Sequence, residues 1–264
     1  MPEFWYDADG VRLYAVEEGR GPVIAMLHGG GADHRACLPI VAPLSARYRV
    51  ITPDLRSSGR SRCADHLTWD RLAEDLEALL DHAGAARAVV GGVSLGAGAA
   101  LRFARRFPDR TAALVMVLPV YRGEKRGFTE HQAATFKTLV PAIARARDEG
   151  IEAFRPLYQQ SPAMEAYFDA MIGSVDLASF VATNQFMASG AQPFVSDADL
   201  EAIAVSTLLV PGNDLMHPAE VAELYAARIP RCTTAELPDT ADFNRRNAEI
   251  AAAIGDFCER SAAW

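Results

Sequence analysis

The segment Ala88-Val89-Val90-Gly91-Gly92-Val93-Ser94-Leu95-Gly96-Ala97-Gly98 joins a short apolar run to a helical pattern. Ala88-Val89-Val90 is the kind of run that a strand buried on both faces presents. From Leu95 to Phe107 the spacing of apolar residues is helical. Between the two lies Gly92-Val93-Ser94-Leu95-Gly96, a G-x-S-x-G pattern. On a sharp strand-to-helix turn this pattern raises a serine hydroxyl above the sheet, and its two glycines let neighbouring backbone come close. Ala97, Gly98, Ala99 and Ala100 continue with small side chains where the helix must pack on strands. Ser94 is the candidate nucleophile.

Outward from this point, short β-like runs alternate with helical stretches. On the N-terminal side, Val50-Ile51-Thr52 is closed by Pro53-Asp54, and Leu72, Leu76, Leu79 and Leu80 form the stripe of an amphipathic helix from about Thr68 to His82. Val23-Ile24-Ala25-Met26-Leu27 runs into His28-Gly29-Gly30-Gly31, and Leu38 to Tyr48 has helical spacing. Phe4 to Asp7 and Arg12 to Glu17, parted by Asp9-Gly10, predict a hairpin. On the C-terminal side, strands are expected at Ala113 to Leu118, Ser206 to Val210 and Cys232 to Leu237. Helices are expected at Pro218 to Arg228 and about Asn244 to Arg260. Such alternation predicts a parallel sheet with right-handed crossovers and a ligand site at the carboxyl ends of the strands. From Val120 to about Pro193 the strands vanish, and helical stretches such as Phe128 to Glu149 and Ile151 to Gln160 follow one another. The expected organisation is a core of 1–119 and 194–264 split around a helical cap, 120–193.

Half of the 264 residues are hydrophobic and 23% are charged, enough apolar mass to cover both faces of a sheet. The net charge of −8 with scattered Lys and Arg offers no footprint for a phosphate backbone, so nucleic acid is excluded as a partner. Cys37, Cys63, Cys232 and Cys258 form no C-x-x-C pair and no ligand spacing with a histidine, and read as reduced thiols. The start has no signal-peptide pattern, and no stretch reaches the ~18 apolar residues a membrane span needs. A cytoplasmic protein acting on a small molecule, with no membrane partner, no cofactor and no metal, is expected. Monomer and homodimer both stay open.

With the Ser94 motif and the His28-Gly29-Gly30-Gly31 loop in strand order, the chain resembles the α/β-hydrolase superfamily over nearly its whole length. The resemblance implies the α/β-hydrolase fold: a mostly parallel eight-stranded sheet, helices on both faces, and a helical cap inserted after strand six. It implies an oxyanion hole from the backbone N–H groups of Gly30 and Leu95. Asp54-Leu55-Arg56-Ser57-Ser58-Gly59-Arg60-Ser61 looks like the family's D-x-R-x-x-G-x-S segment, with Asp54 expected to brace a turn. A serine nucleophile sets the chain apart from the family's epoxide hydrolases and haloalkane dehalogenases. Leu208 to Pro218 resembles the segment in which a strand ends in G-x-D, which makes Asp214 the acid that orients a catalytic imidazole.

The family's histidine is expected after the eighth strand, as Gly-His-Phe, but this sequence has Ala241-Asp242-Phe243 there and no histidine after His217. A serine without a base is a poor nucleophile at neutral pH. Three readings follow. His217, three residues past Asp214, takes the place of the missing base. Asp242 accepts the proton itself, at a Brønsted disadvantage, since a carboxylate titrates near ~3.9 and an imidazole near ~6.5. Or the site has lost ordinary hydrolysis and the fold holds a ligand.

The cap carries Tyr121, Phe128, Phe136, Phe154, Tyr158, Tyr167, Phe168, Phe180 and Phe186, an aromatic lid that suits an apolar acyl or aromatic carbonyl substrate. His28, Gly29, His34 and Tyr121 are expected around that substrate, with His28 as an orienting residue rather than a base. His66 and His82 read as surface residues and His131 as a cap residue, while Arg122, Lys125 and Arg126 offer charge at the cap entrance. The expected activity is that of a serine esterase or lactonase working through an acyl-enzyme. The alternative is a hydrolase-fold binding protein.

Overall fold

The computed structural model describes residues 1–264 apart from 65–66, 160–161, 238–241 and 262–263. His66 thus lies outside the described residues, as do positions 238–241 of the segment where the family's histidine is expected. The strands are β1 (Glu3–Ala8), β2 (Val11–Glu18), β3 (Val23–Leu27), β4 (Arg49–Pro53), β5 (Ala88–Val93), β6 (Thr111–Val117), β7 (Thr207–Val210) and β8 (Cys232–Thr234). They form one eight-stranded sheet in the order β1-β2-β4-β3-β5-β6-β7-β8. β1 and β2 pair antiparallel, and β2 is antiparallel to β4. Every pairing from β4 through β3, β5, β6 and β7 to β8 is parallel. The hairpin closes through Asp9 and Gly10, both with positive φ (54° and 76°), the backbone that a two-residue hairpin turn demands.

The helices are α1 (Leu38–Val41), α2 (Trp69–His82), α3 (Leu95–Arg106), α4 (Glu130–Lys137), α5 (Leu139–Glu149), α6 (Arg155–Tyr158), α7 (Pro162–Ile172), α8 (Leu177–Ala188), α9 (Asp197–Glu201), α10 (Ala219–Arg228) and α11 (Phe243–Ser261). One apolar layer unites the sheet with Leu72, Leu76 and Leu79 of α2, Leu101 and Phe103 of α3, and Val221 and Tyr225 of α10. The opposite face packs on Ile40 and Val41 of α1 and Ile250, Ile254 and Phe257 of α11. Helices α4 to α8 stand between β6 and β7; α5 to α8 hold a small core of their own around Phe154, Phe168 and Phe180, while Phe136 of α4 joins the main core. Among the described residues no helix is long and apolar enough to cross a membrane.

The stretch expected to be helical from Ile151 to Gln160 is a 3-10 turn over Gly150–Phe154 followed by α6, and three further elements differ from the sequence expectation. Instead of one helix over Leu38 to Tyr48 there is α1 followed by a 3-10 turn at Ala42–Ala46. Pro43 has no N–H to give to the carbonyl four residues back, which ends the regular helix. The expected helix from Phe128 to Glu149 is two, α4 and α5, for the same reason: Pro141 cannot donate toward Lys137 but is tolerated in the first turn of a new helix. β8 stops at Thr234 rather than Leu237, because the short β7 offers it only Thr207, Leu208 and Leu209.

Candidate active site

Ser94 sits between β5 and α3 with φ 55° and ψ −110°, a backbone conformation that costs a non-glycine residue about 1–3 kcal/mol. The turn is held from both sides. Ser94 donates its N–H to the Val117 carbonyl at the end of β6 (2.9 Å), and α3 lies so close to β3 that a methyl on Gly96 would stand 2.6 Å from the His28 carbonyl oxygen and closer still to that of Leu27. A methyl on Gly92 would in turn strike the Gly96 and Ala97 backbone. The glycines of G-x-S-x-G are thus positions where only hydrogen fits. Leu95 opens α3, so its N–H belongs to the first turn, which has no carbonyl of its own helix to bind.

The turn after β7 carries the acid and the imidazole together. Asp214 Oδ1 accepts the N–H groups of Met216 and His217, both at 2.8 Å, which folds the chain back within three residues. His217 precedes Pro218, which disfavours helical backbone there. The His217 ring then lies between two partners: Nδ1 is 2.9 Å from Asp214 Oδ2 and Nε2 is 3.1 Å from Ser94 Oγ. The ring is 17% exposed, whereas Asp214 is 58% exposed. Burial on its own raises the Asp214 carboxyl, but the hydrogen bond and charge of His217 and the two backbone donors outweigh it and bring it down to about 2. Gly212 makes room for this turn, since a methyl there would meet the His217 carbonyl and Cβ.

Asp242 is placed elsewhere in the local architecture. It is exposed, and its Oδ1 accepts the N–H groups of Asn244 (2.9 Å) and Arg245 (3.1 Å), the role of a cap at the start of α11.

The loop after β3 runs beside Ser94: a methyl on Gly29 would lie 3.6 Å from Ser94 Cβ. Met187 of α8 lies against Gly30, in the space a side chain there would take, and the Tyr158 hydroxyl donates to the Gly31 carbonyl at 3.0 Å. His28, expected beside the substrate, is fully buried, and both ring nitrogens meet backbone, Nδ1 at the Gly29 carbonyl (2.7 Å) and Nε2 at the Leu55 N–H (3.0 Å). Burial pushes its imidazole pKa down. It braces the loop instead of facing the site. His34 gives its ring to Asp54 (2.6 Å) and edges Tyr14 at 5.3 Å. Asp54 is buried and also accepts the Arg60 N–H at 2.7 Å, so it braces a turn as the sequence suggests. Asp33, His34 and Asp54 approach within 4.8 Å of one another and could offer three metal ligands, but Asp33 is held by Arg35 and the other two by each other.

Tyr121 is 3% exposed and packs edge-on against Trp69 at 4.7 Å. It is a core residue of the cap junction rather than an open wall. Arg122 and Arg126 are paired with Glu220 and Asp197, His82 stacks on Phe4, and His131 is exposed on α4. Two clefts, of about 510 and 580 Å³, open beside Trp69, Ser189 and Ala191; neither is lined by Ser94. Sequence reasoning passed over Gln132, a fully buried α4 residue whose side-chain amide donates to the carbonyls of Val120 and Met216, both at 2.9 Å. The one signal for it is Thr129-Glu130-His131-Gln132, a capping-box pattern, which the structure forms.

The chain matches the alpha/beta hydrolase family over residues 24–253 and belongs to it. It is 28% identical over 227 residues to the pimeloyl-[acyl-carrier protein] methyl ester esterase of Nitrosomonas europaea, covering 83% of this chain and 88% of that one. Over 90 residues it is 41% identical to the magnesium-chelatase 30 kDa subunit of Rhodobacter capsulatus; the match spans 33% of this chain and only about a third, 32%, of that subunit's length. The solved structure of an esterase from Thermogutta terrifontis superimposes over 100% of both chains with a TM-score of 0.81 at 24% identity, a likeness of fold.

Proposed function

We propose that this chain is a serine hydrolase of small carboxylic esters or lactones bearing an apolar acyl or aromatic group, working through an acyl-enzyme on Ser94. What carries the reading is the His217 ring, 3.1 Å from Ser94 Oγ on one side and 2.9 Å from Asp214 on the other. With Nδ1–H given to the carboxylate, the neutral ring turns its Nε2 lone pair to the serine hydroxyl. Ser94 Oγ attacks the carbonyl carbon, its proton passes to Nε2, and the carbonyl π electrons move onto oxygen. The N–H groups of Leu95 and Gly30 receive that oxyanion. Collapse expels the alkoxide, which takes the proton back from Nε2. Water then repeats the sequence on the acyl-enzyme and returns the acid and free Ser94. Asp214 stays ionised throughout and steadies the imidazolium. In this reading Asp242 takes no part in the proton transfer; its Oδ1 accepts two N–H groups at the start of α11.

Met187 and Phe180 over the Gly30-Gly31 loop favour an apolar acyl group. Two of the similar proteins are named as esterases, which supports ester hydrolysis as the reaction class. Incubation with a fluorophosphonate probe is expected to give one adduct, mapped by peptide mass to Ser94. A folded protein that takes no label has no activated serine, and the binding-protein alternative then stands in its place. Gly212→Ala is expected to displace the His217 turn by a few tenths of an ångström to an ångström and slow that labelling roughly 10- to 100-fold. An unchanged labelling rate for the folded variant would remove the turn from the mechanism.

A further inference from the structure

Resting on that reading, we infer that Gln132 is a positioning residue that holds His217 against Ser94 from the cap side. Gln132 is fully buried on α4. Its Oε1 accepts the Thr129 N–H at 3.0 Å, and Thr129 Oγ1 accepts the Gln132 N–H at 3.1 Å, so its amide is oriented by the start of its own helix. A primary amide has two N–H donors. One goes to the Val120 carbonyl, just past β6, and the other to the Met216 carbonyl, the residue before His217. A single side chain therefore joins the first helix after β6, the exit of β6, and the turn that bears the imidazole.

The exits of β6 and β7 are already side by side, because Leu118, with a positive φ of 52°, donates its N–H to the Val210 carbonyl at 2.9 Å. Gln132 spans them again, farther along both chains. On the outer side of the His217 turn, Asp214 and Leu215 are exposed (58% and 67%), so solvent, not packing, surrounds that half of the turn. The inner half is held by the Gln132 amide together with the Met216 side chain, which packs against the core. The Gln132 hydrogen bonds go to Thr129, Val120 and Met216, not to Ser94 or the ring. It acts through the backbone of Met216, and the reach of His217 to Ser94 depends on a cap residue.

The test is Gln132→Met, which keeps the length of the side chain and removes both donors. For p-nitrophenyl acetate, kcat is expected to fall about 10- to 100-fold, since an ångström of misplacement costs on the order of 10²-fold, while KM stays within about threefold. Hydrogen exchange at the Met216 and His217 amides is expected to quicken about tenfold or more. In a His217→Ala background the same substitution is expected to change the residual rate by less than about twofold, because the group it positions is gone. Gln132→Leu likewise removes both donors without placing a carboxyl against the two carbonyls, and is expected to behave alike if the Met variant fails to fold. Unchanged exchange and unchanged kcat overturn the inference, and so does an equal fractional loss with and without His217, the mark of mere unfolding. If His217→Ala retains full activity, the proposed reaction fails instead, and the exchange rates alone decide whether Gln132 holds the turn.

Discussion

His217→Ala is expected to lower kcat/KM for a p-nitrophenyl ester as far as Ser94→Ala does, roughly 10⁴- to 10⁶-fold, with the double variant no slower than either single one. The reason is that nucleophile and base act as one unit: without Nε2 to accept the proton, the Ser94 hydroxyl is no better than water, and without the hydroxyl the ring has nothing to activate. Asp214→Asn, which also gives up the ionised partner of the ring, is expected to be nearly as severe. Asp242→Ala supplies the contrast. It removes the acceptor for the Asn244 and Arg245 N–H groups, costs about 1 kcal/mol of stability as lost caps do, and leaves the rate within about twofold. A His217→Ala enzyme within tenfold of the parent would end the substitute-base reading. Asp214, lowered to about 2, strengthens the pairing above the ordinary carboxylate range near ~3.9 and loses that contribution only as the pH falls through about 2.

The site was legible in the sequence wherever chemistry and chain order coincide. Ser94 follows from a pattern whose glycines are sterically required, and the strand-helix alternation around it leaves few other folds. Asp214 and His217 could be paired as candidates, but sequence spacing says nothing about which way a ring points. That direction is set by two backbone hydrogen bonds to Asp214, by Gly212 beneath the turn and by Pro218 after it, a conjunction visible only in three dimensions. Asp242 illustrates the converse. Its alignment with the family's histidine suggested a catalytic part, whereas an Asp just before a 19-residue helix is equally a cap, and its Oδ1 accepts the N–H groups of Asn244 and Arg245. His28 shows that a residue can precede the Gly29-Gly30-Gly31 loop beside Ser94 and still be turned wholly inward. Gln132 and Met187 were illegible because their partners, Met216 and Gly30, are 84 and 157 positions away, and no local pattern encodes such contacts.

In the proposed mechanism the acid and the base stand three residues apart on one loop, which changes what the rest of the molecule must do. In the arrangement the resemblance implies, acid and imidazole come from loops after different strands, and the sheet itself sets their distance. Here a single turn sets it, and the sheet need only hold that turn over Ser94. The pinning of β6 beside β7, the Gly212 cleft and the Gln132 amide supply that hold.

Gly96→Ala is expected to be among the most damaging single methyls in the core. In the native packing that methyl would sit 2.6 Å from the His28 carbonyl oxygen and nearer to the Leu27 oxygen, and both obstacles are backbone of β3 and its exit, not the flexible end of a side chain. Relief requires α3 to move off the sheet by about an ångström. Overpacking of this kind costs typically ~1–3 kcal/mol and more where backbone must shift, so about 3 kcal/mol or above is expected. For a chain of this size that is a fall in Tm of roughly 6–12 °C. The same displacement carries Ser94 and the Leu95 N–H away from His217 and the Gly30 loop, so the folded fraction is expected to lose on the order of 10²-fold in kcat/KM. Gly173→Ala is the matched control, since a methyl there meets nothing within 4 Å, and it is expected to stay within about 0.5 kcal/mol of the parent. Thermal unfolding of the two variants side by side, followed by titration of intact active sites with the fluorophosphonate, separates lost stability from lost geometry. A Gly96→Ala protein as stable and as reactive as its Gly173→Ala counterpart would mean that the close approach of α3 to β3 does not set the position of the nucleophile.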